Sequence, residues 1–146
     1  MSTAEAYVVD ASVVAKWFNR GEELENESYQ IRKAWINDEI QLEAPSHLPY
    51  EVANSIWKNP NIGTRKAGSL ARALVEVSPR LHNITEAAAK QTMLIARRRG
   101  VTFYDASYLA LAKLLSLPLV TADEAQLRAA SGYARASHLS ALPRLK

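Results

Sequence analysis

Ala6-Tyr7-Val8-Val9-Asp10-Ala11-Ser12 is the stretch from which the fold can be read. A continuous apolar run that stops sharply at a polar residue reads as a short strand covered on both faces, as strands of parallel sheets are. A helix is expected to start near Ser12. The same cadence recurs downstream: 40–44 alternates like a strand, 80–84 is a shorter alternating run, and 117–121 is another apolar run. Between these runs lie helical patterns. Over 24–38, Leu24, Tyr29, Ile31, Ala34, Trp35 and Ile36 are interleaved with charge, and 64–75 forms a further helical stretch. Short strands alternating with helices imply an α/β sandwich around a central, mainly parallel sheet.

Helix boundaries follow from capping chemistry. Ser46 is read as an N-cap with Pro49 in the first turn, where a missing amide hydrogen does no harm; the helix then runs to about Lys58, and Asn59-Pro60 stops it. Thr85 is expected to cap a helix that ends at Gly100. Thr102-Phe103-Tyr104-Asp105 matches a capping box ahead of Ala106, Leu109, Ala110, Leu111, Leu114 and Leu115, a helix apolar on most sides and hence deeply buried. Thr121-Ala122-Asp123-Glu124 resembles a second capping box, and 139–146 reads as a frayed or docking tail.

Four acids stand where these runs meet a turn or a helix start: Asp10, Glu51, Asp105 and Asp123. Each alone has an ordinary reading, as a helix cap, a first-turn acid favoured by the helix dipole, or a solvated helix residue. Taken together they suggest an acidic pocket built from distant segments, because ligands of open α/β sheets bind beyond the carboxyl ends of strands. Gathered carboxylates repel unless protons or cations intervene. Hard divalent cations take oxygen ligands and bridge carboxylates to phosphates, so the chemistry indicated is metal-assisted attack on a phosphodiester.

The chain has 146 residues, 48% hydrophobic and 23% charged, with a net charge of +3. That is enough for one domain spanning 1–146 with a sizeable core, and ordinary globular usage. The mild positive charge permits binding to a polyanion without demanding it. With no cysteine, disulfides, thiolate metal sites and thiol nucleophiles are excluded. The first five residues lack a basic lead into an apolar stretch, and the greasiest region, 108–120, is too short to span a bilayer, so a cytoplasmic protein without membrane attachment is expected.

Val8-Val9-Asp10-Ala11-Ser12, Glu51-Val52-Ala53-Asn54, Tyr104-Asp105-Ala106 and Thr121-Ala122-Asp123 follow one another in the order seen in PIN domains. The chain resembles a VapC-type toxin over nearly its whole length. The resemblance implies a PIN-like α/β/α sandwich and a Mg²⁺- or Mn²⁺-dependent endoribonuclease acting on RNA. It further implies a homodimer, silenced by a VapB-type antitoxin bound across the active site. Asp10, Glu51, Asp105 and Asp123 take the acidic metal-site positions, Ser12 and Thr121 are the accompanying hydroxyls, and Asn54 is the polar residue one turn after the glutamate. Whether Asp123 or its neighbour Glu124 faces the pocket is open in the sequence, with Asp123 favoured.

Arg97-Arg98-Arg99, Lys16, Arg65 and Lys66 are candidate phosphate contacts, although for the three arginines the favoured reading is that basic residues in a last helical turn suit the helix dipole. Trp17, Phe18, Trp35 and Trp57 are read as core or interface. His47, His82 and His138 lack the spacing of a zinc site and are set aside. Two other functions are weighed. An aspartyl-phosphate enzyme of the phosphatase type is expected to carry a second Asp where Ser12 stands, and a receiver domain an acidic pair near the N-terminus. A catalytically silent RNA- or partner-binding module gains nothing from clustered negative charge facing a polyanion.

Overall fold

The computed structural model describes residues 5–142; residues 1–4, part of the stretch read for a leader, and 143–146, the end of the expected tail, lie outside the described residues. In chain order the elements are β1 (Glu5–Val9), α1 (Ala11–Val14), a 3₁₀ turn (Ala15–Trp17), α2 (Glu25–Ile36), β2 (Ile40–Pro45), α3 (Leu48–Lys58) and α4 (Thr64–Glu76). They continue with β3 (Arg80–His82), α5 (Glu86–Arg99), α6 (Phe103–Leu115), β4 (Leu119–Thr121), α7 (Glu124–Ala130), β5 (Ala136–His138) and a 3₁₀ turn (Leu139–Ala141).

The sheet order is β3-β2-β1-β4-β5, and every pairing is parallel. Val8 and Val9 are consecutive in β1, hence on opposite faces, and both are 0% exposed, so helices cover the central strand on each side. α6 packs on β1, β2 and β4, while α1 reaches β4 and α2 reaches β2. Because the order reverses beside β1, the carboxyl ends of β1 and β4 form the switch point at which such sheets bind ligands. Asp10 follows the first of these strands and Asp123 lies two residues past the second.

Several boundaries differ from the sequence reading for identifiable reasons. Ser46 does not cap α3, because its amide still donates to His82 O at 2.9 Å and so extends the β2–β3 ladder; His47 becomes the N-cap. Thr121 is the last residue of β4, fully buried, and its hydroxyl is committed to Asp10, so Asp123 takes over the cap of α7 by accepting from Ala125 N at 2.9 Å. The runs 80–84 and 117–121 each supply only three strand residues, and β5 has no apolar run to announce it. Thr85 and Thr102 do cap α5 and α6, and Gly100 ends α5 in the left-handed region at φ 68°, where a side chain is strained.

α3, which carries Glu51, is tied to the segment after the first 3₁₀ turn by Asn19, only 2% exposed. Its Nδ2 donates to Ala15 O at 2.9 Å and to Ser55 Oγ at 3.0 Å, and its Oδ1 accepts from Asn59 Nδ2 at 2.9 Å. Removing that amide strands half-buried polar partners on both sides. Asn19→Ala is therefore expected to lower the urea-unfolding free energy by about 1–3 kcal/mol; an unchanged midpoint would show that these bonds do not hold α3.

Candidate active site

Asp10 is the anchor. Its backbone leaves β1 in extended conformation and its side chain caps α1, with Oδ1 accepting from Ser12 N at 3.1 Å. The same oxygen accepts from the Ser12 hydroxyl, and Oδ2 accepts from Thr121 Oγ1. Both hydroxyls then act as acceptors in turn: Ala122 N donates to Ser12 Oγ at 2.9 Å and Asp123 N to Thr121 Oγ1 at 3.0 Å. These bonds stitch the turn after β1 to the turn after β4. His138 secures the second turn from β5, its Nε2 lying 3.2 Å from Ala122 O.

The carboxylate held this way is 5% exposed. Burial pushes the Asp10 pKa up to about 6; the hydroxyl bonds of Ser12 and Thr121 pull against that, and the charge of Asp123 adds to it. Asp105, in the first turn of α6, is also raised, by burial first, with the charges of Glu51 and Asp123 adding, while the Thr102 bond and His47 oppose. Asp10, Glu51, Asp105 and Asp123 thus act on one another across four separate segments. It is Asp123, rather than Glu124, whose charge reaches both Asp10 and Asp105.

Tyr108, one helical turn beyond Asp105 and 0% exposed, stands among three of these acids. Its hydroxyl donates to Glu51 Oε1 at 2.8 Å, and its pKa is driven up by burial and by the charges of Glu51, Asp10 and Asp105. His47, one turn before Glu51, brings Nδ1 to 2.6 Å from the same Oε1, a close polar contact without the alignment of a hydrogen bond. Its other nitrogen lies 2.6 Å from Ser107 Oγ, and its ring meets Tyr104 and Tyr108 edge-on. Glu51 is therefore clamped to the first turns of α6 through Oε1. Gln126, 3% exposed, adds a further brace by donating to Asp105 O at 2.9 Å.

Tyr108, Ser107 and Gln126 are not among the site residues read from the sequence, and His47 is set aside there for lacking the spacing of a zinc site. The available signal was helical spacing: His47 lies four residues before Glu51 and Tyr108 three after Asp105, each on the face of a helix that already carries an acid. Among the other candidates, Asn54 is exposed on α3. Lys16 is drawn to Glu22 at 3.2 Å. Arg97, Arg98 and Arg99 are exposed at the end of α5, three residues before α6 opens with Asp105 in its first turn. No ion pair among the described residues engages them.

The donors gathered here are carboxylate and hydroxyl oxygens, a set suited to a hard cation such as Mg²⁺ or Mn²⁺ rather than a thiophilic one. Among the described residues no three His, Asp or Glu side chains stand close enough to hold a metal ion between them. Mg²⁺ commonly binds through one or two carboxylates with water completing its shell.

An α/β sandwich with acids clustered at its switch point defines a recognisable class. Residues 7–132 match the PIN domain family, and the chain belongs to it. Ribonuclease VapC3 of Pyrobaculum aerophilum is 31% identical over 121 residues, 80% of this chain and 88% of that protein. Exonuclease VapC9 of the same organism is 33% identical over 99 residues, 67% of this chain and 74% of its own length. A solved toxin-antitoxin complex from Klebsiella pneumoniae shares the fold, with a TM-score of 0.64 at 19% identity over 91% of this chain and 97% of the matched one. No helix among the described residues is long and apolar enough to cross a membrane.

A carboxyl whose folded pKa is raised from 3.8 to about 6 binds its proton more tightly folded than unfolded. Its contribution to stability is complete below about pH 4 and is lost as pH rises through about 6. For metal-free protein the Asp10 contribution lost is on the order of 3 kcal/mol. Asp10→Asn keeps the cap and removes the charge, so this variant is expected to be the more stable at pH 7, with a flatter stability profile between pH 4 and 7. Parallel urea titrations of both proteins across that range check it; equal slopes would contradict it.

Proposed function

We propose that this chain is the toxin component of a VapBC-type toxin-antitoxin pair, a Mg²⁺- or Mn²⁺-dependent endoribonuclease that hydrolyses RNA phosphodiester bonds. The observation that carries the reading is the convergence of four acids around Tyr108: the charge of Asp123 raises the proton affinity of Asp10, and those of Glu51 and Asp123 raise that of Asp105. Such mutual repulsion is stored at a site that expects a cation. Asp10 and Asp105 would hold the principal ion, with Glu51 helping to hold it or orienting the attacking water, and Asp123 would complete the site or recruit a second ion. When bound, a divalent ion supplies Lewis acidity toward the phosphate and lowers the pKa of water.

The remaining work belongs to the chain's own groups. Ser12 and Thr121 fix the Asp10 carboxylate, so it need not reorganise when charge develops. Tyr108 and His47 occupy Glu51 Oε1, leaving Oε2 to orient the attacking water and receive its proton. The exposed arginines at 97–99 at the end of α5 are candidate contacts for RNA phosphates, whereas Lys16 pairs with Glu22.

The toxin reading draws its partner from the same relatives: a VapB-type antitoxin that covers the acidic site, with the nuclease domain spanning the chain as a cytoplasmic homodimer. Tyr50 and Trp57 on α3 and Val75 on α4 are 80%, 76% and 74% exposed, apolar surface suited to such contacts. One curated relative is named a ribonuclease and another an exonuclease, so the mode of cutting is part of the test.

End-labelled RNAs of several structural classes, incubated with antitoxin-free protein, are expected to be cut internally with Mg²⁺ or Mn²⁺ and left intact with EDTA. Asp10→Asn and Asp105→Asn each lower kcat by more than about 100-fold, and Tyr108→Phe by about 10-fold with KM little changed, as the loss of a group that orients a ligand does. Cutting that survives both aspartate substitutions would reject the site. Stepwise loss from one end would make the enzyme an exonuclease. RNA binding without any cut would favour the silent module.

A further inference from the structure

Beside the acidic site lies a small cavity of about 60 Å³, open to solvent, between the carboxyl ends of β2 and β3 and the helices α5 and α6. That is well below the about 300–1,000 Å³ of pockets that enclose a drug-sized ligand, so a guest is one small ring entering edge-first from the open mouth. It shares His47, Phe103 and Ser107 with the first turns around Glu51 and Asp105, so an occupant sits one imidazole ring away from the acids. Pro45, Ile84 and Leu111 make its walls apolar and Phe103 contributes an aromatic ring.

The lining contains no Asp, Glu, Lys or Arg, and its two histidines are turned to Glu51 and Glu43, which argues for a neutral guest rather than a phosphate. Most of its polar groups are already engaged. Thr92 Oγ1 donates to Ala88 O at 2.6 Å, Ser107 Oγ to Tyr104 O, and the Ser46 amide to His82 O. Among the described residues the Asn83 amide and the Ser46 hydroxyl make no side-chain hydrogen bond, and Asn83 is exposed at the lining. An apolar, partly aromatic slot with a free amide, one donor and one acceptor, matches a planar heterocycle whose edge carries both. Single-stranded RNA presents such groups when bases are splayed out of the stack.

We propose that this cavity is a subsite for one nucleobase of the RNA adjoining the bond that is cut. The inference rests on the nuclease reading for its substrate and adds to it the origin of base preference. Stacking and edge contacts of one base are worth about tenfold or more in affinity, enough to bias where a nuclease cuts.

The test has two arms, each with wild type, Ala88→Leu, which fills the slot from the first turn of α5, and Asn83→Ala, an exposed truncation that keeps the fold if the larger side chain does not. In the first, ¹⁵N-labelled protein in EDTA is titrated with each of the four nucleoside 5′-monophosphates and read by NMR. Saturable shifts at Asn83, Ala88 and Leu111, stronger for some bases than others and weakened at least about tenfold by one or both substitutions, are expected. In the second, cleavage of RNA randomised around the cut is sequenced; one position is expected to show a preferred base that the variants lose. Shifts that spare the cavity, or an identical preference in both variants, would overturn the subsite. Cavity shifts without RNA cleavage would sustain the subsite and defeat the nuclease, whereas metal-dependent cleavage with unaltered preference would do the reverse.

Discussion

The structure turns on one buried carboxylate. Asp10 sits at the carboxyl end of the central strand, almost wholly removed from water, and its oxygens are taken up by Ser12 and Thr121. A charge buried without partners is strongly destabilising, and these hydroxyl bonds offset only part of that cost. The same hydroxyls accept amides from the turn after β4, so the group that is expensive to bury is also the one that sets two active-site loops in register. The fold and the proposed site therefore depend on the same residue, and burial leaves Asp10 with a raised proton affinity.

Everything else at the site is arranged around that anchor by the sheet order. Placing β4 beside β1 brings Asp123 to Asp10 across a separation of more than a hundred residues. α6 runs over β1, β2 and β4 and delivers Asp105 and Tyr108 from its first turns. α3 starts from the end of β2 and brings Glu51, which the clamp of His47 and Tyr108 fixes against α6. Four carboxylates on four segments leave the backbone free to satisfy its own hydrogen bonds while the side chains concentrate negative potential in one place.

Much of this was legible in the sequence because two independent codes agree at the same positions. The run ending at Asp10 specifies a buried parallel strand and also aims its last polar residue at the ligand edge; the Thr102 box specifies a helix start and also places Asp105 in its first turn. What escaped was set by tertiary contacts. β5 consists of half-buried Ala136, Ser137 and His138 and is a strand only because β4 offers it an edge. Ser46 and Thr121 carry good capping side chains but are claimed by the sheet and by Asp10, so neighbours cap in their place. His47 was judged against zinc spacing, which tests a histidine as a ligand, whereas here it supports a carboxylate.

The central claim is that Asp10 and Asp105 share a divalent ion. Its most direct test is a crystal of this protein soaked in Mn²⁺ and measured for anomalous scattering. The account predicts a peak within coordination distance of both carboxylates, with Glu51 still held by Tyr108 and His47; at saturating Mn²⁺, a pocket without a peak, or a peak bound away from Asp10 and Asp105, would contradict it.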